Sequence, residues 1–269
     1  MLDYLKNSLV KVCDTTLNQF FFPAFSLISS EKDEAETKFL IFAQGRTGSK
    51  LLTDLLNHHP KIHCDKEIFN SSFYLGSDHL LFPYRLVNGK AKFYKNKIYG
   101  FKDKVYQIDY QSNIDDAWSF VHYLYFNNWK IIYLKRRNVF KHALSNYIAK
   151  KRGKFHAYKG GKDSEFGKIH INPKELIKRM EKRKKFQKRE AKILEGLEHM
   201  NLVYEDDLNN SKNQEKTANR IFDYLGLEHV KVRTRFKKVN TRSNKDLISN
   251  YKQIEQLLKG SPYEAFLRD

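Results

Sequence analysis

Short apolar runs alternate with longer amphipathic stretches along most of the chain. Five brief runs rich in β-branched and aromatic residues predict strands, the second and the fifth each followed by a turn within the quoted stretch: KFLIFA (38–43), KIHCDKEIF (61–69), KIYGFKDKV (97–105), WKIIYLKRR (129–137) and MNLVYEDDL (200–208). Between them, apolar residues at helical spacing predict helices: SKLLTDLLNHH (49–59), IDDAWSFVHYLYFNN (114–128), NVFKHALSNYIAKK (138–151), QEKTANRIFDYLGL (214–227) and KDLISNYKQIEQLLKG (245–260).

This alternation predicts an α/β fold with a P-loop-like parallel β-sheet flanked by helices on both faces. Ligands of such sheets bind at the carboxyl ends of the strands. Asn172, Pro173 and Glu175 fit the N-cap, N1 and N3 positions of a long basic helix. Its charge run EKRKK (181–185) is interpreted as a solvated face. We expect residues 1–36 to form an N-terminal helical appendage and linker, and residues 37–269 to form the main domain.

The composition adds a strong positive charge to this picture. The chain has 50 Lys and Arg against 31 Asp and Glu, a formal net charge of +19. Such an excess favours an anionic partner, and no standard nucleic-acid motif selects nucleic acid. Cys13 and Cys64 are expected to be reduced thiols, and no Cys/His spacing suggests a metal site. No apolar run has the length of a membrane span. We expect a cytoplasmic protein whose first 30 residues pack on the domain, touch a membrane surface or bind a partner.

The first strand leads through a small-residue loop into a helix, FLIFAQGRTGSKLLTDLLNHHP (39–60). Such a loop offers backbone N–H groups and a helix N-terminus to an anion. Gly45 and Gly48 allow the backbone to approach the anion closely. Positive charges and hydroxyl donors are added by four side chains of the loop: Arg46, Thr47, Ser49 and Lys50. In a Walker A loop a Ser or Thr follows the lysine and holds Mg²⁺, whereas Leu51 follows Lys50 here. An ATPase or kinase is therefore disfavoured.

The motif GRTGSKLL resembles the 5′-phosphosulfate loop of sulfotransferases, with the two hydroxyl residues exchanged. Those enzymes use 3′-phosphoadenosine 5′-phosphosulfate (PAPS) and need no metal. The family holds the 3′-phosphate with an arginine at the end of a later strand and a serine on the next helix. IIYLKRRNVFKHALSNYIA (131–149) supplies Arg137 and Ser145 at the spacing common in the family, with Arg136 as the rival arginine.

The resemblance extends from about Phe39 to Leu267 and implies further site residues. Glu67 matches the family's glutamate base in tyrosylprotein-type and bacterial members, with Asp65 as a weaker alternative. Arg46 matches the basic residue that stabilises charge on the leaving phosphate, and Lys102 is a second candidate. Contacts with PAPS are also implied for three residues of the C-terminal half: Tyr204, Thr241 and Arg242.

The similarity to bacterial sulfotransferases implies a hydroxyl acceptor on a carbohydrate or glycolipid. A tyrosine-containing peptide stays open, since the Glu67 arrangement is shared with tyrosylprotein enzymes. Acceptor selection is expected from the Gly/Lys-rich loop at 152–170. A non-catalytic polyanion-binding protein on the same fold is the alternative from another class, supported by the charge and the basic helix.

Overall fold

The computed structural model describes residues 16–30, 34–70, 80–111, 114, 116–152, 167–236 and 242–267. Within these residues lies one parallel sheet of order β2-β3-β1-β4-β5. The strands are β1 Lys38–Ala43, β2 Ile62–Glu67, β3 Ile98–Asp103, β4 Trp129–Lys135 and β5 Met200–Val203. The connection after the central strand β1 runs to β2 on one side of the sheet, and the connection after its neighbour β4 runs to β5 on the other side. A crevice therefore opens at the carboxyl end of β1.

Helices connect these strands and cover the sheet. They are α1 Phe22–Ile28, α2 Ser49–Leu56, α3 Pro83–Phe93, α4 Val105–Gln111, α5 Ala117–Phe126, α6 Val139–Arg152, α7 Pro173–Ile193, α8 Tyr204–Asp207, α9 Ser211–Leu225, α10 Asn244–Leu247 and α11 Tyr251–Leu258. A π-helical turn, Leu17–Phe21, leads into α1, and a 3₁₀ turn, Glu264–Leu267, follows α11. None of the described helices combines the length and apolar character that crossing a bilayer requires.

Successive residues of the strands enter two different cores. Leu40 and Phe42 of β1 pack with residues of α3, α4 and α5 on one face of the sheet. Phe39 and Ile41 pack with α2 and α9 on the other face. Because side chains alternate along a strand, a run that is apolar at every position is buried on both sides. The predicted α/β class, with helices on both faces, is confirmed.

Three parts of the chain differ from what its sequence predicts. The stretch 245–260 forms two helices, since Ile248 is extended (φ −106°, ψ 119°) and bridges to Ile169. The amide of Ser249 donates to the carbonyl of Ile169 at 2.9 Å, and the amide of Ile169 donates to the carbonyl of Leu247 at 2.8 Å. Helix α3 was not predicted, because Gly89 and the lysines of 90–97 obscure its apolar spacing. Helix α4 was not predicted either, and it begins at Val105, which the sequence assigns to the third strand.

The capping signals of the sequence are confirmed. The Asn172 side chain accepts from the amide of Glu175 at 3.2 Å, at the start of α7. Gly226 ends α9 with φ 75°, a left-handed conformation that glycine adopts without a steric cost.

Helix α1 packs directly on α3. A Cβ added to Gly89 of α3 would lie 1.8 Å from the carbonyl oxygen of Phe22, so the two helices approach as closely as only glycine permits. The Phe22 side chain enters the same core as β1 and β3. The division of the chain at residue 36 stays a prediction, and residues 1–15 lie outside the described part of the chain.

Candidate active site

A cavity of about 670 Å³ opens at the carboxyl ends of the central strands. It is lined by the loop after β1, the ends of β2 and β3, and the start of α8. Seven of its lining side chains are basic, namely Arg46, Lys50, Lys102, Lys104, Arg136, Lys141 and Arg242. Two are acidic, Glu67 and Glu205. The excess of positive charge suits a ligand that carries several negative charges.

The backbone of the loop after β1 is shaped for an anion. Arg46 has φ 74° and Gly48 has φ 89°, so two of three successive residues are left-handed before α2 begins at Ser49. Alternating conformations of this kind turn successive N–H groups towards one point, to which the helix N-terminus adds positive potential. Two reasons favour glycine at position 48: the left-handed conformation, and the close packing of Tyr204, whose Cδ2 would lie 2.7 Å from an added Cβ.

The hydroxyls of the loop have different surroundings. Thr47 is 1% exposed, and its Oγ1 donates to the carbonyl oxygen of Gln44 at 2.7 Å, which braces the loop. Its side chain does not line the cavity, whereas Ser49 and Lys50 do. The Lys50 ammonium lies 5.5 Å from the ring centre of Phe236, and burial together with Lys66 and Lys102 lowers its pKa.

Arg46 joins the loop to helix α6. Its Nε donates to Oγ of Ser145 at 3.1 Å. The sequence resemblance implies that Arg46 binds the phosphosulfate of PAPS and Ser145 its 3′-phosphate, and the two side chains are in direct contact here. Burial is the main cause, and the charge of Arg136 the second, that lowers the pKa of Arg46 to about 10, so Arg46 remains a cation at neutral pH. Nε2 of His142 lies 2.8 Å from the carbonyl oxygen of Gly45. Burial lowers the pKa of His142 well below its usual value, so we assign it as neutral with the proton on Nε2.

The two candidate arginines after β4 face different ways. Arg136 lines the cavity, where its guanidinium stacks 4.8 Å from the ring centre of Tyr204 and donates to the carbonyl of Arg46 at 3.4 Å. Arg137 does not line it: its side chain is 59% exposed and pairs with Asp206. The geometry therefore favours the rival arginine of the sequence analysis for an anion in the cavity.

Glu67 is held by three donors. Nζ of Lys102 donates to Oε1, while Nζ of Lys104 at 2.6 Å and Nε2 of Gln107 at 3.0 Å both donate to Oε2. Burial would raise the pKa of Glu67, but the two lysines lower it to about 2. The carboxylate is thus ionised at any working pH. At least one of the two lysines must move away from Glu67 before this carboxylate can readily accept a proton.

A β-bulge sets this pairing. Asp65 of β2 lies opposite Phe101 of β3, but the register then shifts so that Glu67 lies opposite Lys102. Without the extra residue, regular parallel pairing would place Glu67 opposite the buried Asp103 instead. The bulge therefore replaces a pair of like charges by an ion pair.

Asp65 is occupied elsewhere. Its carboxylate accepts from Nζ of Lys90 at 2.9 Å and from the hydroxyl of Tyr99 at 3.1 Å, and Nε2 of His63 lies 3.2 Å away. It does not line the cavity. The structure thus brings Glu67, and not Asp65, to the same cavity as the loop after β1.

A buried polar network lies beneath the loop and was not predicted. Gln44 donates to Oε2 of Glu190 at 3.1 Å, and the hydroxyl of Tyr133 donates to the same oxygen at 3.0 Å. Burial raises the pKa of Glu190 to about 7. Arg183 donates to Oε1 of Gln44 at 3.4 Å. The charge run of α7 is therefore only partly a solvated face, because Arg183 turns inward to support the loop.

The remaining predicted residues divide as follows. Tyr204 and Arg242 line the cavity, and Thr241 lies outside the described residues, as does most of the loop at 152–170. Lys104 and Lys141 also line it, although the sequence analysis did not select them. Lys104 could have been found, since it lies two residues beyond Lys102 at the end of the same strand. In the described part of the chain, no group of three or more His, Cys, Asp or Glu side chains is placed to hold a metal ion.

Comparisons with family models and with curated proteins find no match for this chain. Among solved structures, it is similar to a sulfotransferase from Alicyclobacillus acidocaldarius, with a TM-score of 0.49 and 14% sequence identity. The alignment covers 87% of this chain and 94% of that one. A likeness at this level assigns no activity, so function is inferred from the side chains of the cavity.

Proposed function

We propose that this protein is a sulfotransferase that moves a sulfuryl group from PAPS to an acceptor hydroxyl. One observation carries the proposal: an anion-binding loop and an ionised glutamate paired with lysine share one strongly basic cavity. Sulfuryl transfer needs both, a cationic cradle for the leaving phosphate and a carboxylate for the proton of the acceptor. The motif GRTGSKLL supports the same activity, since it resembles the 5′-phosphosulfate loop of that family.

The cavity offers two places for the charged ends of PAPS. The phosphosulfate would bind the loop of residues 45–50, against its N–H groups and the side chains of Ser49 and Lys50. The 3′-phosphate would bind Arg136 and Ser145, with Lys141 also on the cavity wall. Tyr204 would hold Arg136 in place by stacking under its guanidinium.

The proposed reaction is an in-line displacement at sulfur. The oxygen of the acceptor hydroxyl forms a bond to sulfur while the bond from sulfur to the bridging phosphate oxygen breaks, and its electron pair leaves with adenosine 3′,5′-bisphosphate (PAP). Glu67 takes the proton of the hydroxyl. Arg46 and Lys102 stabilise the charge that develops on the departing oxygen. Most of the acceleration comes from positioning and electrostatics.

The ion pairs of Glu67 are compatible with this reaction if bound PAPS weakens them. Lys102 and Lys104 both contact the carboxylate and line the cavity. The sulfonate oxygens of a bound donor would compete for these ammonium groups, and each hydrogen bond that moves to the donor raises the pKa of Glu67. The donor would thus bind before the base becomes effective.

For the acceptor we propose a hydroxyl of a carbohydrate or glycolipid, with a tyrosine-containing peptide as the alternative. The support is the resemblance of residues 39–267 to bacterial sulfotransferases, together with the basic cavity wall, which suits an anionic glycan. A screen of both acceptor classes with PAPS, with Glu67→Gln as the inactive control, distinguishes them.

The donor site is tested by calorimetric titration of PAP without Mg²⁺ into wild-type protein and into Ser49→Ala and Ser145→Ala. We expect micromolar binding that both changes weaken, whereas Glu67→Gln should bind PAP and lose turnover. Absence of PAP binding by the wild type at any salt concentration refutes the proposal. Salt-dependent binding of polyanions without PAPS turnover would instead identify a non-catalytic protein on this fold.

A further inference from the structure

The first described helical segment exposes an apolar stripe. Within residues 17–28, the exposed positions follow helical spacing and all are apolar: Leu17, Phe20, Phe21, Ala24, Leu27 and Ile28. Ile28 is 83% exposed, Leu27 63% and Phe20 59%. The buried side of the same segment carries Gln19, which is 4% exposed. Since Phe22 and Pro23 are also buried, the segment is apolar on both sides, whereas the exposed side of a surface helix is usually polar.

Specific contacts fix this orientation. The side-chain oxygen of Gln19 accepts from the amide of Leu81 at 3.0 Å. Lys92 of α3 donates to the carbonyl oxygens of Ser26 and Ser29 at 3.0 and 2.9 Å, at the C-terminal end of α1. With the close approach of Phe22 to Gly89, these contacts prevent α1 from turning its apolar side inward.

Helix α3 extends the apolar surface. Leu81, Phe82 and Phe93 are each more than 40% exposed, and the rings of Phe93 and Phe21 lie 6.0 Å apart. Of the twelve large apolar residues exposed in the described part of the chain, eight lie in residues 16–30 and 80–98. This concentration marks a binding surface, since scattered apolar residues are normal but a contiguous patch is not.

The only charged side chains within these two segments are basic. Residues 16–30 carry no charged side chain, and residues 80–98 carry five basic and no acidic ones: Arg85, Lys90, Lys92, Lys95 and Lys97. The guanidinium of Arg85 lies 5.8 Å from the ring centre of Phe82, so positive charge adjoins the apolar patch. Apolar side chains beside exposed cations suit a surface that is negative outside and apolar within.

We propose that the stripe of α1 and the adjoining face of α3 bind the surface of an anionic lipid bilayer. Phe20, Phe21, Leu27 and Ile28 enter the boundary between headgroups and acyl chains, and the exposed basic residues of the segment 80–98 lie against the headgroups. None of these residues lines the cavity, so the proposal stands or falls independently of sulfuryl transfer. A surface between two copies of the chain is less suitable, because it would bring like charges together.

The test is co-sedimentation of the full chain with vesicles, either pure phosphatidylcholine or an equal mixture with phosphatidylglycerol. The double variant Phe20→Gln/Ile28→Gln changes the stripe, and Leu257→Gln is the matched control, an exposed leucine on α11. We expect binding to the anionic vesicles to fall at least about tenfold in the double variant and to persist in the control. Pure phosphatidylcholine should bind the wild type more weakly than the mixture does.

Melting temperature and light scattering complete the test. Residues replaced in the double variant face solvent, so its melting temperature should match or exceed that of the wild type. Equal vesicle binding by the double variant and the wild type overturns the proposal. So does a wild-type dimer that becomes a monomer in the double variant without any vesicle binding, since the stripe then joins two copies. A lower melting temperature without vesicle binding also overturns it, because another part of the chain then covers the stripe.

Discussion

Replacing Arg136 by alanine should weaken PAP binding far more than replacing its neighbour Arg137. Arg136 faces the cavity and stacks on Tyr204, whereas Arg137 is exposed and pairs with Asp206. The family's usual spacing to Ser145 favours Arg137, so spacing and geometry disagree. The two alanine variants decide between them.

The expected magnitude follows from the contact that is lost. Hydrogen bonds to a charged group contribute about 1.5–3 kcal/mol, which corresponds to roughly a 10- to 150-fold change in Kd. Arg136→Ala also removes the hydrogen bond to the carbonyl of Arg46, so the upper part of this range applies. Arg136→Lys should fall between, because lysine keeps the charge but not the two-pronged geometry.

The assay is calorimetric titration of PAP at one fixed salt concentration, with melting curves to confirm that each variant is folded. Arg137→Ala should bind as the wild type does, within the error of the titration. If Arg137→Ala loses binding and Arg136→Ala keeps it, the 3′-phosphate is held by the outer arginine. The side-chain positions seen here would then not be those of the nucleotide complex.

Three further predictions concern the loop, the base and the buried network. Gly48→Ala should abolish PAP binding, because the left-handed conformation strains alanine and the added Cβ would collide with Tyr204. Gly196→Ala is the control, since its φ of 78° gives similar strain but no atom lies within 4 Å of the added Cβ. Equal loss of PAP binding in both variants would contradict the role of the loop. Lys104→Met should raise the pKa of Glu67 and move the acid limb of kcat/KM to higher pH; an unmoved limb would show that Glu67 is not the titrating base. Because the pKa of Glu190 is raised to about 7 in the folded state, that state binds the proton more tightly, and stability is lost as pH rises through 7. Glu190→Gln, which resembles the protonated acid, should therefore raise the free energy of unfolding above pH 8 by on the order of 3 kcal/mol, with the difference shrinking towards pH 5. Denaturant melts across this range measure it, and a constant difference would refute the linkage.

The strands, the loop after β1 and the class of fold can be predicted from the order of residues alone. Continuous apolar runs such as 39–43 and 131–134 indicate burial on both faces, and this signal is local. Gly48 and the caps at Asn172 and Gly226 are equally local, since each satisfies the backbone within a few residues. These features depend on φ and ψ and on spacing, which a single chain displays without its neighbours.

The contacts between the side chains of the cavity depend on the folded arrangement of the chain. The bulge that sets Glu67 opposite Lys102 depends on the pairing of β2 with β3, and no local pattern records it. The choice of Arg136 depends on Tyr204, which lies 68 residues later in the chain. The charged neighbours of Arg183 predict that its side chain is solvated, yet it supports the loop after β1 through Gln44. Each of these contacts joins residues distant in sequence, and their energies depend on burial and distance, which the folded chain alone supplies.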